Sequence, residues 1–192
     1  MPSTDGRLGT RERDVLLGIA QASIRHGLER GTPLPVRAPD YEGALREPGA
    51  SFVTLKRGGA LRGCIGSLEA RRPLVEDVAA NAFAAAFEDP RFPPLAPEEL
   101  EDLAVSVSVL TPPEPLPCAS EEELIARLVP GEDGLIIADG AHRATFLPAV
   151  WESLPEPRDF LRELRRKAGL PPDHWSPRLR VWRYRTESFG TA

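Results

Sequence analysis

Residues 103–110 read Leu-Ala-Val-Ser-Val-Ser-Val-Leu, and this run leaves the backbone few choices. Leu103, Val105, Val107 and Val109 alternate with Ala104, Ser106 and Ser108. Alternation at period two puts the large aliphatic side chains on one face of an extended chain and the small polar ones on the other. β-branched valine is stiff at χ1 and suits a pleated surface. The segment is therefore a strand with one face in a core. It requires partner strands beside it and an apolar layer beneath it.

Candidate partners follow from the turn residues. Ser51–Arg57 and Ala60–Gly66 flank Gly58-Gly59, a pair suited to the positive φ angles of a two-residue hairpin. With a regular turn, Val53 would face Cys64 and Leu55 would face Arg62. Residues 135–138 and 143–147 surround a second hairpin signal, Asp139-Gly140, and 179–185 form a last strand.

Helical spacing covers 10–30, where Val15, Leu16, Ile19, Ala22 and Leu28 precede a stop at Gly31. A second helix opens at Pro73 and runs to Glu88, its many alanines implying a close neighbour. Ser120 with Glu123 has capping-box spacing for a helix to about Val129. Pro157–Ala168 is a fourth helix, ended by Gly169. Residues 31–50 form a long Pro- and Gly-rich loop, and the Pro-rich stretch 111–117 is the best candidate for a joint. The fold class is α+β, with an antiparallel sheet flanked by helices. Residues 1–9 read as a flexible N-terminus and 10–190 as a single domain.

Several function classes are excluded. The net charge of −5 over 192 residues gives no basic footprint for nucleic acid. The one dense basic stretch, Arg162, Arg165, Arg166 and Lys167, reads as a solvated helix face. No apolar run reaches the ~20 residues of a membrane span, and no secretory signal opens the chain. A cytoplasmic location is expected. Cys64 and Cys118 lie far apart with no CxxC, so no metal site and no structural disulfide are expected. No dinucleotide fingerprint, phosphate-cradling loop or Ser-His-Asp order occurs, and no cofactor is expected.

The densest unusual segment is Leu61-Arg-Gly-Cys-Ile-Gly66. Glycines inside a strand mark a bulge or a close approach of backbone or ligand. Strict alternation puts Arg62 and Cys64 on one face, ~7 Å apart, where the guanidinium would favour a reactive thiolate. Two readings of Cys64 stand: a packed core thiol, or a catalytic one beside Arg62. An arginine among apolar neighbours needs a carboxylate or a bound anion. Asp89 and Arg91 flank Pro90 and form either a rigid turn with a local ion pair or a ligand clamp. His142 would make a nucleophilic dyad only if it met Cys64, and His26 and His174 read as solvent residues.

These residues carry a resemblance. The hexapeptide 61–66 is similar to the hallmark of the AMMECR (AMME chromosomal region) domain family. Asn81-Ala82, Asp89–Pro94, Val105–Leu110, Arg143–Pro148 and Lys167-Ala-Gly-Leu170 agree in order and spacing over about 10–190. The resemblance implies a larger and a smaller lobe, with a cleft near the hexapeptide. It also implies likeness to protein A of the AmmeMemoRadiSam system, whose companions are a Memo-like protein and a radical-SAM enzyme. It brings no firm activity.

Motif positions carried over are Arg62, Gly63, Cys64, Gly66, Asp89, Arg91, Phe92, Arg143 and Thr145. A cysteine often seen before Lys-Ala-Gly is replaced here by Arg165 or Arg166, which argues against a two-thiol mechanism. The residues and the resemblance together suggest two functions. One is an enzyme or enzyme component with Cys64 and Arg62 as catalytic residues, holding a small anionic ligand with Asp89, Arg91, Arg143 and Thr145. The other is a non-catalytic module that docks Memo-like and radical-SAM partners.

Overall fold

The computed structural model describes residues 8–191. The expected flexible stretch 1–9 lies outside these residues except for Leu8 and Gly9, and Leu8 is buried in a core. The chain forms two compact units: residues up to Leu110 with those from Glu187 onward, and Thr111–Thr186. The break falls where the Pro-rich stretch begins.

In the first unit, α1 (Thr10–Arg30) ends at Gly31, whose φ of 70° closes the helix with a bond from its N–H to Gly27 O. Its N-terminus is capped by the Glu12 carboxylate, which accepts from Gly9 N–H at 2.7 Å. The loop that follows contains the short strand β1 (Pro48–Gly49). β2 (Ser51–Arg57) and β3 (Ala60–Gly66) form the expected hairpin, with Gly58 and Gly59 both at positive φ. β4 (Arg72–Pro73) pairs with β1. α2 (Leu74–Phe87) begins one residue later than the spacing suggested, because Pro73 serves as its N-cap. The alternating segment is β5 (Leu103–Leu110).

Val53 and Leu55 on β2 meet Val105 and Val107 on β5, all four at most 3% exposed. Their face packs on α1 and α2 through Leu16, Ile19, Ile24, Val75, Val78 and Ala82. Burying one such aliphatic side chain contributes roughly 1.5–3 kcal/mol, which makes this face the reason the sheet exists. Small residues permit close approach on both sides of α2. A Cβ on Gly27 of α1 would lie 2.3 Å from the Phe87 ring. One on Gly63 of β3 would lie 2.1 Å from the Ala85 carbonyl oxygen.

A polar clamp ties the same elements together. Asp77, 1% exposed on the first turn of α2, accepts five hydrogen bonds. Ser51 N–H, Ser51 Oγ and Asn81 Nδ2 donate to Oδ2 at 2.9, 2.6 and 3.0 Å. Ser67 Oγ and Arg72 Nε donate to Oδ1, both at 2.8 Å. A buried carboxylate is tolerated when its lone pairs are filled in this way.

The second unit begins with β6 (Glu114–Pro115) and α3 (Glu121–Arg127), where Ser120 Oγ accepts from Glu123 N–H. β7 (Gly134–Asp139) and β8 (His142–Phe146) form the second hairpin. Asp139 pairs with His142, so the turn is Gly140-Ala141, one residue later than expected. Only Gly140 has positive φ, the pattern of a turn that needs glycine at its first central position. α4 (Pro157–Lys167) covers this sheet with Phe160, Leu161 and Leu164. The Phe160 ring stacks on Trp151 at 3.8 Å. β9 (Arg180–Tyr184) completes the order β6-β9-β7-β8.

β10 (Thr186–Gly190), unforeseen in the sequence, returns to the first unit and pairs with β5, giving the order β10-β5-β2-β3. Every strand pair with a defined register is antiparallel, and the class is α+β. No described helix is long and apolar enough to cross a membrane.

The basic stretch of α4 is not a uniformly solvated face. Arg165 is 2% exposed and bonded to Glu121 and to the Pro172 carbonyl. Its guanidinium thereby holds the start of α3 and the chain beyond α4 to one point.

Candidate functional site

The geometry of β3 turns on one extra residue. Arg57 pairs with Ala60 and Lys56 with Leu61, but Leu55 pairs with Gly63 and Thr54 with Cys64. Arg62 is the unpaired residue of a β-bulge, and a bulge changes the phase of the side chains beyond it. The regular register expected from the sequence, Val53 opposite Cys64 and Leu55 opposite Arg62, does not occur. Gly63 lies on the core side, where only glycine fits against Ala85 O. Cys64 lies on the other face, with Phe52, Thr54, Gly66, Ser106 and Ser108. The shared face proposed for Arg62 and Cys64 is therefore lost.

Arg62 is 9% exposed and finds its carboxylate in Glu99. Nε donates to Oε1 at 2.8 Å and Nη2 to Oε2 at 2.9 Å, while Nη2 also donates to Pro93 O at 2.9 Å. Glu99 additionally accepts from Ala96 N–H. The Arg62 guanidinium holds the Glu99 pKa down at about 2, helped by that N–H and opposed by burial. The pair reciprocally raises Arg62. Two of the three guanidinium nitrogens are thus taken by internal partners.

Cys64 is half-buried, with Sγ 3.2 Å from Thr54 Oγ1. Its backbone is held by the Asp89–Arg91 turn. Asp89 Oδ2 accepts from Cys64 N–H at 2.9 Å and from Arg91 Nη2 at 2.7 Å. Asp89 Oδ1 accepts from Arg91 Nε at 2.9 Å and from Arg91 N–H at 3.1 Å. Arg91 Nη2 also donates to Cys64 O at 3.3 Å. The Arg91 hydrogen bonds, then the backbone N–H groups, hold Asp89 well below the usual carboxylate range despite its burial. Asp89 in turn raises Arg91, to which the nearby Cys64 sulfur adds. The Arg91 side chain remains 54% exposed and the Asp89 side chain 2%. Phe92 is near both cations: the Arg62 and Arg91 guanidinium carbons lie 5.8 and 5.6 Å from its ring centre.

Of the other candidates, Arg143 and Thr145 lie on β8 in the second unit. Arg143 is exposed, whereas Thr145 Oγ1 is 2.9 Å from Tyr184 OH within that unit's sheet. His142 is engaged locally, with Nδ1 3.0 Å from Ala168 O. His174 is no simple solvent residue, since Nε2 lies 2.7 Å from Oδ2 of buried Asp139. Within the first unit, then, the structure brings together Cys64, Asp89 and Arg91 and assigns Arg62 to Glu99.

Sequence reading missed Glu99, Thr54 and the Asp77 clamp. Glu99 carried one usable signal, its place three residues after Ala96 and two after Pro97, where a carboxylate caps a helical turn. Nothing local pointed to Thr54, whose role follows from the bulge.

A protein of Methanothermobacter thermautotrophicus is 40% identical over 190 residues, spanning 95% of each chain. One of Methanopyrus kandleri is 37% identical, spanning 95% of this chain and 90% of its own. The crystal structure of an uncharacterised protein from Pyrococcus horikoshii superposes with a TM-score of 0.75 at 38% identity, covering 93% of this chain and 90% of that one. The sequence model of the AMMECR1 family matches residues 17–189, which contain the hexapeptide, the Asp89–Arg91 turn and both hairpins, and the chain belongs to that family.

Proposed function

We propose that the chain is an enzyme or enzyme component that receives a small anionic molecule on the sheet face carrying Cys64. Arg91 is the cation that meets the anion, Cys64 is the reacting group, and Asp89 fixes one relative to the other. Arg62 is a structural brace in this reading. The observation that carries it is the shared carboxylate. One buried Asp89 holds the backbone of a half-buried thiol and a half-exposed guanidinium at once. Tying both to one carboxylate sets the Cys64 backbone and the Arg91 fork in a fixed relation before a ligand arrives.

The remaining Arg91 donor, Nη1, makes no hydrogen bond among the described residues, and a guanidinium suits carboxylate or phosphate oxygens. Alkylation kinetics test the pairing directly. Iodoacetate is anionic and iodoacetamide neutral, at similar size. The iodoacetate-to-iodoacetamide rate ratio at Cys64 is expected to exceed that of the denatured chain several-fold, and to fall to it in Arg91→Gln. An unchanged ratio in Arg91→Gln would remove Arg91 from the site. Labelling no faster than in the denatured chain with either reagent would remove Cys64.

A further inference from the structure

A second feature of the first unit has the form of a ligand site. Beyond the end of β3, the loop over residues 67–71 and the start of α2 enclose an open hollow of ≈ 520 Å³. It is lined by Gly66, Ser67, Leu68, Glu69, Arg71, Arg72 and Asp77, so two carboxylates as well as two guanidinium groups border it. That volume is within the ~300–1,000 Å³ range of small-molecule sites. We propose that this hollow binds the oxyanion group of a small molecule, a phosphate or a carboxylate, through Arg72 and Arg71.

The argument starts at Asp77. Its five hydrogen bonds fill its lone pairs, and one comes from Arg72 Nε. Anchoring a guanidinium at Nε fixes the plane of its fork. The terminal nitrogens of Arg72 make no hydrogen bond among the described residues, and the side chain is 43% exposed. They are thus presented at a set position before any ligand arrives, which lowers the ordering cost of binding.

Arg71 lies beside it in sequence, 81% exposed, with Nε and Nη2 on Glu69 Oε2 at 2.9 and 2.6 Å. An exposed pair of this kind is weak, so a ligand oxyanion can compete with Glu69 for Arg71. The backbone N–H of Leu68 also makes no hydrogen bond among the described residues, and it adds a donor to the same loop.

The two hydroxyls of the clamp, on Ser51 and Ser67, donate to Asp77 and leave the arginine forks as the donors for a ligand. An oxyanion at two guanidinium groups gains paired N–H bonds that neither water nor chloride reproduces. This site stands apart from the proposal for Cys64 and Arg91 and is tested apart from it.

The probes are inorganic phosphate and malonate, titrated calorimetrically into the full chain at constant ionic strength, with chloride as reference. One of the two is expected to bind with a Kd of ~1 mM. Binding of phosphate alone names a phosphate ligand, and binding of malonate alone names a carboxylate. Arg72→Gln is expected to weaken it at least tenfold, and Arg71→Gln, at a position too exposed to threaten folding, about threefold or more. Cys64→Ala and Arg91→Gln should leave it unchanged. Neither probe binding at ~20 mM, or binding that survives both Arg71→Gln and Arg72→Gln, would overturn the assignment.

Discussion

Glu99 closes two of the three nitrogens of Arg62, Nε at 2.8 Å and Nη2 at 2.9 Å, while Nη1 is buried without a partner among the described residues. The pair is mostly enclosed, with side chains 11% and 15% exposed. Removing one member of such a pair leaves the other desolvated and unmatched. Glu99→Ala is therefore expected to cost about 3–5 kcal/mol of unfolding free energy, read from urea denaturation. The double variant Arg62→Met/Glu99→Leu should recover most of the loss. A single-variant cost below ~1 kcal/mol would mean that the pair behaves like one on the surface.

The same pair sets an acid response. The folded-state pKa of Glu99 is about 2, below the ~4.3 of an unfolded glutamate. A lowered pKa contributes stability in full above the unfolded value and loses it as pH falls towards the folded value. The urea midpoint should thus fall between about pH 4.3 and pH 2, and Glu99→Gln should flatten that fall. Asp89 acts with the same sign at lower pH, its pKa held down first by Arg91. Equal slopes for wild type and Glu99→Gln would contradict the assignment.

The two glycines of the hexapeptide should differ on substitution. At Gly63 a Cβ would meet backbone, Ala85 O at 2.1 Å, which can yield only if α2 moves. At Gly66 it would meet the Phe52 side chain, which can turn. Gly63→Ala is expected at the upper end of the ~1–3 kcal/mol overpacking range or beyond it, and Gly66→Ala at the lower end. Thermal denaturation of the two variants side by side measures the order, and a reversed order would place α2 further from β3.

Arg165 supplies a test in the second unit. With 2% exposure and bonds to Glu121 and Pro172 O, its replacement leaves Glu121 only the 3.6 Å contact to exposed Arg158. Arg165→Ala should destabilise that unit by about 3–5 kcal/mol, with little dependence on salt. Arg166, half exposed, should tolerate alanine with a cost under ~0.5 kcal/mol. Hydrogen exchange of β7 and β8 amides would separate the two outcomes.

How far the sequence could be read depended on the range of the interactions. Helix α1, helix α4 and strand β5 are written in local periodicity and end at glycine or proline, so their bounds were close. The bulge at Arg62 is not local. It depends on the contact of Gly63 with Ala85 O, and a strand pattern holds no record of a helix 22 positions on. Even one extra residue reverses every side chain beyond it, which is why Arg62 and Cys64 parted. Asp89 and Arg91 were legible as a pair because Pro90 keeps them adjacent, but the bond from Cys64 N–H spans 25 positions. Glu99 was hidden for the same reason, 37 positions from Arg62. β10 was overlooked because Thr186–Gly190 buries little more than Phe189 and alternates weakly.

One edge strand of the first sheet, β10, lies almost wholly after the second unit in the chain. During synthesis the ribosome must deliver all of Thr111–Thr186 before β5 can acquire that neighbour, although Thr111–Thr186 can begin folding as soon as it emerges. Until then the backbone of β5 is an open edge, and an open edge invites pairing with another nascent chain. Trimming the chain after Thr186 would make that temporary exposure permanent, so such a truncation should aggregate rather than yield a smaller working protein.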